Sequence, residues 1–523
     1  MGSCCSKEPG PVEPYVPSPG PVPSTTQGIT ETRVVAPKLV VDPRIVDELI
    51  MELLALIASF VDNEEESPVS LVKLHVIAEK EEGWFQVVSS MVRIIPLDNP
   101  LGPSAITIVF DDCPLPSKEQ VIKLTQILGL SAMRALSAEI DVQVERNICV
   151  VLGCIADKLA GPNSVAVLTE ETLDYMLSFL MFRREPRIVL FALIALEKFA
   201  HTTENKLTIK ERLNKEDDNP LLLLERHANS QDYTWRQVGF CAKWALDNLF
   251  TVEGRCLSYQ TVDMSKIHAL MNTQDVSEYL KISSDGLEAR CDSYSFESVR
   301  CTFPVNSGVW YYECLIITPG VMQIGWATKS SHFLNHEGYG IGDDIYSLSY
   351  DGCRRLIWHG AKPTPVPDVQ GWRPGDIVGC LIDMDAEEAI FTVNGVHVRT
   401  CTHLFKVSRQ GFFAAASFMA FQQCRFNFGV EHFRYPPNRP FKIFNEHGSL
   451  SDEQKRVVPR RITLELLRAT AVKENACTLC FDADSCCILE PCQHRGFCSV
   501  CTSQLKECPM CRAAILRIRM EST

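Results

Sequence analysis

The sequence lacks any apolar run long enough to cross a bilayer. The longest runs, 189–196 and 412–421, fall well short of the roughly 20 residues a spanning helix needs. No apolar signal stretch follows Met1, and no paired disulfide pattern is visible. The cysteines number 23, an odd count, and Cys149, Cys154, Cys241 and Cys380 each stand alone among apolar neighbours. Lone cysteines of this kind behave as small buried hydrophobes in a reducing compartment, so a cytoplasmic protein is expected. Basic charge is also short. A formal net charge of −14 argues against general nucleic-acid binding, which needs a basic stripe. No Ser–His–Asp set, phosphate loop or nucleotide fingerprint is present. What the chain does have is 523 residues, 46 % hydrophobic and 22 % charged, enough for about two to four globular domains.

The start reads MGSCCSKEPGPVEPYVPSPGPVPSTT. Its prolines deny both helix and ladder hydrogen bonds, and few large apolar groups offset the entropy of ordering. Residues 1–41 are therefore expected to form a disordered tail, with Pro14 and Pro17 as a PxxP pair inside a spacer. Gly2 after Met1 removal and Ser6 at the hydroxyl position match the N-myristoylation pattern. One myristoyl chain binds membranes only marginally, so Cys4 and Cys5 are candidate palmitoyl sites for the second signal. A membrane surface is thus one expected partner.

From residue 42 to 255 the pattern is helical. The stretch VDELIMELLALIASFV repeats apolar residues at helical spacing, and EQVIKLTQILGL begins another helix. Three segments look alike: VLGCIADKLA at 151–160, FALIALEKFA at 191–200 and CAKWALDNLF at 241–250. Each is preceded by an arginine, Arg146, Arg187 or Arg236. Offsets of 40 and 50 residues suit armadillo- or HEAT-type stacking, with an irregular bundle of similar core helices as the alternative. Either would offer a protein-binding surface.

From 256 to 437 the residues become aromatic and β-branched, broken by Gly, Asn and Asp. FESVRCTF, VWYYECLII, VMQIGWAT, DIVGCLIDM, AIFTVNG and CRFNFG read as strands, and Asn394–Gly395 as a hairpin turn. That density predicts an antiparallel β-sandwich. The blocks GVWYYECLI (308–316), MQIGWAT (322–328), YGIGDD (339–344), SYDG (349–352), GDIVGCLID (375–383), IFTVNG (390–395) and FNFG (426–429) resemble the SPRY domain. The resemblance implies a protein-recognition module that binds substrate through loops at one end of the sandwich. Trp310, Tyr311, Trp326, Trp358 and Trp372 are candidate contact anchors, although aromatics in a sandwich more often fill its core. Asp343, Asp344 and Asp351 are candidate acidic groups or turn residues. Residues 438–476 are expected to form a linker helix, capped near Ser451 and interrupted at Pro459, that packs beside the terminal module or pairs two copies into a homodimer.

The segment 477–511 holds nine cysteines and one histidine in 35 residues. Four donor pairs follow one another: Cys477-x2-Cys480, Cys492-x-His494, Cys498-x2-Cys501 and Cys508-x2-Cys511. Zinc takes four sulfur or nitrogen donors, so eight make two closed sites with no position for a catalytic water. Such sites are structural, and so small a domain needs them to fold. Cys486 and Cys487 fall outside the pairs and are expected in a loop. The spacing resembles the RING finger, which implies a cross-brace: Cys477, Cys480, Cys498 and Cys501 on one ion, Cys492, His494, Cys508 and Cys511 on the other. A ribbon pairing adjacent groups is the alternative. The resemblance further implies that Leu479, Leu505 and Pro509 bind a ubiquitin-conjugating enzyme charged with ubiquitin, and that Arg512 bridges the enzyme and its ubiquitin. Gln493 departs from the pattern, standing where many relatives have glycine. Residues 477–512 form this module and 513–523 a C-terminal tail.

The order of tail, helical region, SPRY-like sandwich and RING-like module resembles the RING finger and SPRY domain-containing protein family. That implies a RING-type ubiquitin ligase, a transferase with no covalent intermediate on this chain and two structural zinc ions as cofactors. The alternative is a non-catalytic zinc-containing adaptor.

Overall fold

The computed structural model describes residues 41–57, 67–159, 161–182, 185–215, 219–332, 339–406, 411–469, 476–480, 483–503 and 505–520. Gly2, Cys4, Cys5 and the proline-rich tail lie outside them. Among the described residues no helix is long and apolar enough to cross a membrane.

Several helices of the first region open on a side-chain cap. Asp141 accepts from the amides of Gln143 and Val144 to open helix Val142–Lys158, and Asp232 accepts from Thr234 and Trp235 to open Tyr233–Asn248. Ser117 and Gln120 close a capping box on Lys118–Ile127. The three look-alike segments lie in helices Val142–Lys158, Pro186–Phe199 and Tyr233–Asn248, and these pack on one another in sequence order. That ordering is what stacked helical repeats produce. Their leading arginines bind neighbours: Arg146 donates to the Pro96 carbonyl at 2.8 Å, Arg187 to Asp98 at 3.2 Å and Arg236 to Glu288 at 2.6 Å.

The second region is the expected sandwich. A seven-stranded antiparallel sheet runs from Met271–Val276 at one edge to Lys362–Pro365 at the other. An eight-stranded sheet runs from Val396–Cys401 to Leu280–Ile282. All six stretches read as strands from the sequence contribute one. Asn394 and Gly395 sit at φ 49° and 77°, the two successive left-handed residues a tight hairpin demands. The sandwich runs on past residue 437. Lys442–Ile443 adds a short parallel strand beside Trp310 and Tyr311, while Phe444 and Val457 are buried in its core. In place of the expected linker helix over 438–476, the described residues form two separate helices, the single turn Phe444–His447 and the segment Arg460–Ala469. Ser451 caps a turn instead of a helix, and the second of these helices begins just past Pro459, whose missing amide is tolerated at a helix start.

The helical region and the sandwich share a core. Val321, Ala420 and Phe421, from sandwich loops, are buried in the same apolar cluster as the helices. Phe421 meets Phe191 edge-on at 5.1 Å between ring centroids, and Ser104 donates to the Ala420 carbonyl at 3.2 Å. Beside this apolar join lies a buried charge cluster. Lys281 of the sandwich sits 2.6 Å from Glu197 of the helices and 2.7 Å from Asp292, with its ammonium 4.5 Å from the Trp244 ring. Arg290 donates to Asp292 at 2.8 Å and to Gln237 at 3.0 Å. Burial alone would raise the Asp292 carboxyl, but Arg290 and Lys281 outweigh it and hold Asp292 well below the usual range. The helix Arg460–Ala469 is tied to both regions, through Arg460 on Glu278 at 2.5 Å and Arg461 on the Asp247 carbonyl at 2.8 Å.

Candidate metal centre and the face around it

The cysteine-rich segment folds as a three-stranded sheet, ordered His494–Phe497, Cys487–Glu490, Arg517–Met520, with the short helix Ser499–Thr502. Its turns are set by backbone bonds. The Cys477 amide donates to Ala483 at 2.7 Å and Thr478 to Gly496 at 2.8 Å. The Arg512 amide donates to the Cys508 carbonyl at 2.8 Å, closing the last Cys-x2-Cys turn with Arg512 at φ 57°.

These turns gather the eight donors into two sets. Cys477, Cys480, Cys498 and Cys501 form one; Cys492, His494, Cys508 and Cys511 form the other. Within each, every ligand atom lies within 4.8 Å of the rest. The first and third pairs therefore share a site, as do the second and fourth, so the adjacent-pair ribbon does not hold. The spacing fits zinc. Zn–S bonds of about 2.3 Å in a tetrahedron put sulfurs roughly 3.8 Å apart, and a Zn–N bond near ~2.05 Å puts sulfur and nitrogen roughly 3.6 Å apart. Cys480 Sγ and Cys498 Sγ are 3.8 Å apart, and Cys508 Sγ and His494 Nδ1 are 3.5 Å apart. Two zinc ions fit these sets.

The module's own apolar core is small: Cys477, Leu489, Phe497, Cys498 and Cys508, most of them donors. Cys487 corrects the loop expectation. It begins the central strand and is buried, with Thr502 Oγ1 donating to its sulfur at 3.5 Å and Met520 Sδ lying 3.6 Å away. Gln493 takes φ 62°, the left-handed conformation glycine adopts without strain, which accounts for glycine at this position in the family pattern.

The residues expected to dock a partner lie on or beside the ligand turns. Leu479, between the first two donors, is 42 % exposed although apolar. Pro509 and Arg512 are exposed, and Leu505 is half-buried. Two exposed apolar side chains escaped the sequence reading: Val500, inside the Cys498–Cys501 turn, and Met510, inside the Cys508–Cys511 turn. Their signal was available, since both sit in turns whose ends are fixed by ligation and whose middle residues cannot point inward. In the sandwich the outcome is the reverse. Trp310, Tyr311, Trp326, Trp358 and Trp372 are all buried, so none is an exposed anchor. Asp351 is buried beside Arg354, and Asp343 and Asp344 hold backbone amides of their own loop, as turn residues do.

Residues 309–431 match the family model of the SPRY domain, and residues 473–518 that of the C3HC4-type zinc finger, the RING finger. The chain is 35 % identical over 143 residues to the E3 ubiquitin-protein ligase RKP of Arabidopsis thaliana, a match covering 27 % of this chain and 11 % of that protein. It is 25 % identical over 172 residues to the ATP-dependent RNA helicase DDX1 of Xenopus laevis, covering 33 % and 22 %. Among solved structures, the SPRY domain of human HERC1 matches at 14 % identity and a TM-score of 0.26, covering 30 % of this chain and 96 % of that one. The matches to these two curated relatives span only 11 % and 22 % of their lengths. The chain carries a SPRY domain and a C3HC4 RING finger.

Proposed function

We propose that this protein is a RING-type ubiquitin ligase. The observation that carries this reading is the RING surface: apolar Leu479, Val500, Pro509 and Met510 stand exposed on turns whose ends the eight donors fix, with exposed Arg512 directly after the last donor. Single exposed apolar groups are ordinary, but four held on ligated turns form a rigid docking face. A charged ubiquitin-conjugating enzyme docks there through Leu479, Leu505 and Pro509. The fork of Arg512 hydrogen-bonds enzyme and ubiquitin together. Zinc supplies structure, holding the turns in place. The thioester stays on the partner enzyme, and the chain accelerates transfer by orienting it toward attack. Substrate is held by the fused helical–SPRY body, and acylation at Gly2, Cys4 and Cys5 tethers an otherwise cytoplasmic protein to membranes.

The test is autoubiquitination by residues 41–523 with zinc, activating enzyme and a panel of conjugating enzymes. Leu479→Ala and Arg512→Ala each lower ladder formation at least about tenfold, the loss of roughly 1.4 kcal/mol of transition-state stabilisation. Cys492→Ser abolishes it. Ladders unchanged in the first two variants return the reading to an adaptor.

A further inference from the structure

One pair of cysteines in the RING module serves neither zinc set. Cys486 and Cys487 stand apart from both groups of four donors, and among the described residues no histidine, carboxylate or further cysteine joins them as a third ligand. Consecutive side chains on a strand ordinarily point to opposite faces, which keeps their ends well apart. Here they converge. Cys486 Sγ and Cys487 Sγ lie 3.8 Å apart at the start of strand Cys487–Glu490, whose pairing with His494–Phe497 shifts register between Cys487 and Leu489. A third sulfur comes from the neighbouring strand: Met520 Sδ is 3.6 Å from Cys487 Sγ.

The sheet holds this trio in place. The Cys486 amide donates to the Phe497 carbonyl at 3.0 Å, and Cys487 pairs with Met520 in the ladder between the central strand and Arg517–Met520. Cys487 is buried, Cys486 half-buried and Met520 exposed, so the trio is reached from solvent past Cys486 and Met520. The two sulfur spacings suit a shared ion. With metal–sulfur bonds near ~2.3 Å, as in zinc thiolates, a three-coordinate ion holds its sulfurs roughly 4 Å apart. A disulfide would need Cys486 and Cys487 to close to about 2.05 Å. Donor chemistry narrows the ion. Magnesium and calcium take oxygen ligands, and this set is sulfur. Zinc closes a structural site with four donors, and this set stops at three. Thiolate and thioether together suit copper(I).

We propose that Cys486, Cys487 and Met520 form a copper(I) site separate from the two zinc sets. Each thiol that binds gives its proton to water, the thioether binds as it stands, and the ion keeps its oxidation state. Bound copper ties the last strand, Arg517–Met520, to the central strand of the RING sheet.

The experiment uses the zinc-loaded full chain under reductant, titrated with copper(I) supplied as its bicinchoninate complex. Uptake is read from the fading colour of that complex, and the metals on the chain by native mass spectrometry. One copper per chain should appear above two retained zinc ions, and hydrogen exchange at 517–520 should slow. Cys486→Ser and Met520→Leu change side chains that reach solvent, and each should keep both zinc ions while weakening copper binding at least about tenfold. Cys256→Ser, which removes an exposed cysteine of the body, should bind as the parent does. No uptake in competition with bicinchoninate overturns the proposal. So does uptake matched by zinc loss, which would place copper in the zinc sets. Unaltered affinity in either Cys486→Ser or Met520→Leu overturns the three-sulfur site as well. None of these readings involves ubiquitin, so they stand or fall separately from the ligase assignment.

Discussion

Cysteine does opposite work in the two halves of this molecule. In the helical–sandwich body, Cys154, Cys241 and Cys380 are buried, and burial pushes the Cys154 and Cys241 thiols up to about 11 and about 12. They are protonated and inert, and act as apolar filling. In the RING, cysteines make up most of the core, and eight donors face one another in two sets. The body is held by area: two large apolar cores, joined where Phe421 enters the helices and where Lys281 sits between Glu197 and Asp292. The RING is held by coordination, because its apolar core is too small to offset the entropy of folding. One chain thus carries a region whose stability grows with buried surface and another whose stability is a binding equilibrium.

Chelation should separate the two most sharply. Removing zinc should unfold 477–520, a loss on the order of 10 kcal/mol, while the body keeps its hydrogen-exchange protection. Loss of protection in both would show that the RING supports the body. Next comes the join. Lys281→Ala strands Glu197 as a buried carboxylate and leaves Asp292 to Arg290 alone, at a cost of about 3–5 kcal/mol in urea unfolding. Phe421→Ala should cost a similar amount, about 3 kcal/mol, by opening a cavity against Phe191. A fragment beginning near residue 270 should aggregate, since it exposes Val321, Ala420 and Phe421 together with the charge cluster, while residues 41–523 stay soluble.

Acid offers a gentler cut at the same join. Burial pushes the folded Asp292 carboxyl up, but Arg290 and Lys281 more than offset this and hold it below its ordinary value of 3.8. Its contribution is therefore fully present above about pH 4 and is lost as pH falls below that, on the order of 2 kcal/mol. The stability of the body, followed by tryptophan fluorescence, should drop in that window, and Asp292→Asn should flatten the drop. The smallest effect expected is a gain. Gln493→Gly should stabilise the zinc-loaded RING by about 0.5–1 kcal/mol, since Gln493 holds φ 62° against its own preference. A thermal midpoint unchanged or lowered would mean the Gln493 side chain contributes more than its backbone costs.

The RING was the most legible part because its information is local. Donor pairs, their spacing and the short Cys-x-His step all lie within 35 residues, and ligand chemistry allows few arrangements. Val500 and Met510 were overlooked because apolar residues are read as core by default, whereas a ligated turn faces its middle outward. The six strands and the hairpin at Asn394–Gly395 were legible through alternation and turn chemistry. The extension of the sandwich through Phe444 and Val457 was not, since a two-residue strand beside Trp310 has no periodicity to detect.

The sequence by itself determined the zinc donors and the strand-rich and helix-rich regions, because each rests on residues close together in the chain; that the three similar helices pack in sequence order was left to the fold. Only the tertiary structure decided which donors share an ion, that the five candidate aromatic anchors are core, and that helices and sandwich are one body. Those outcomes depend on pairs such as Phe191 with Phe421 and Glu197 with Lys281, far apart in sequence and joined only after folding. A pattern of neighbours cannot encode them, because the free energy that selects them comes from surfaces that meet only in the folded chain.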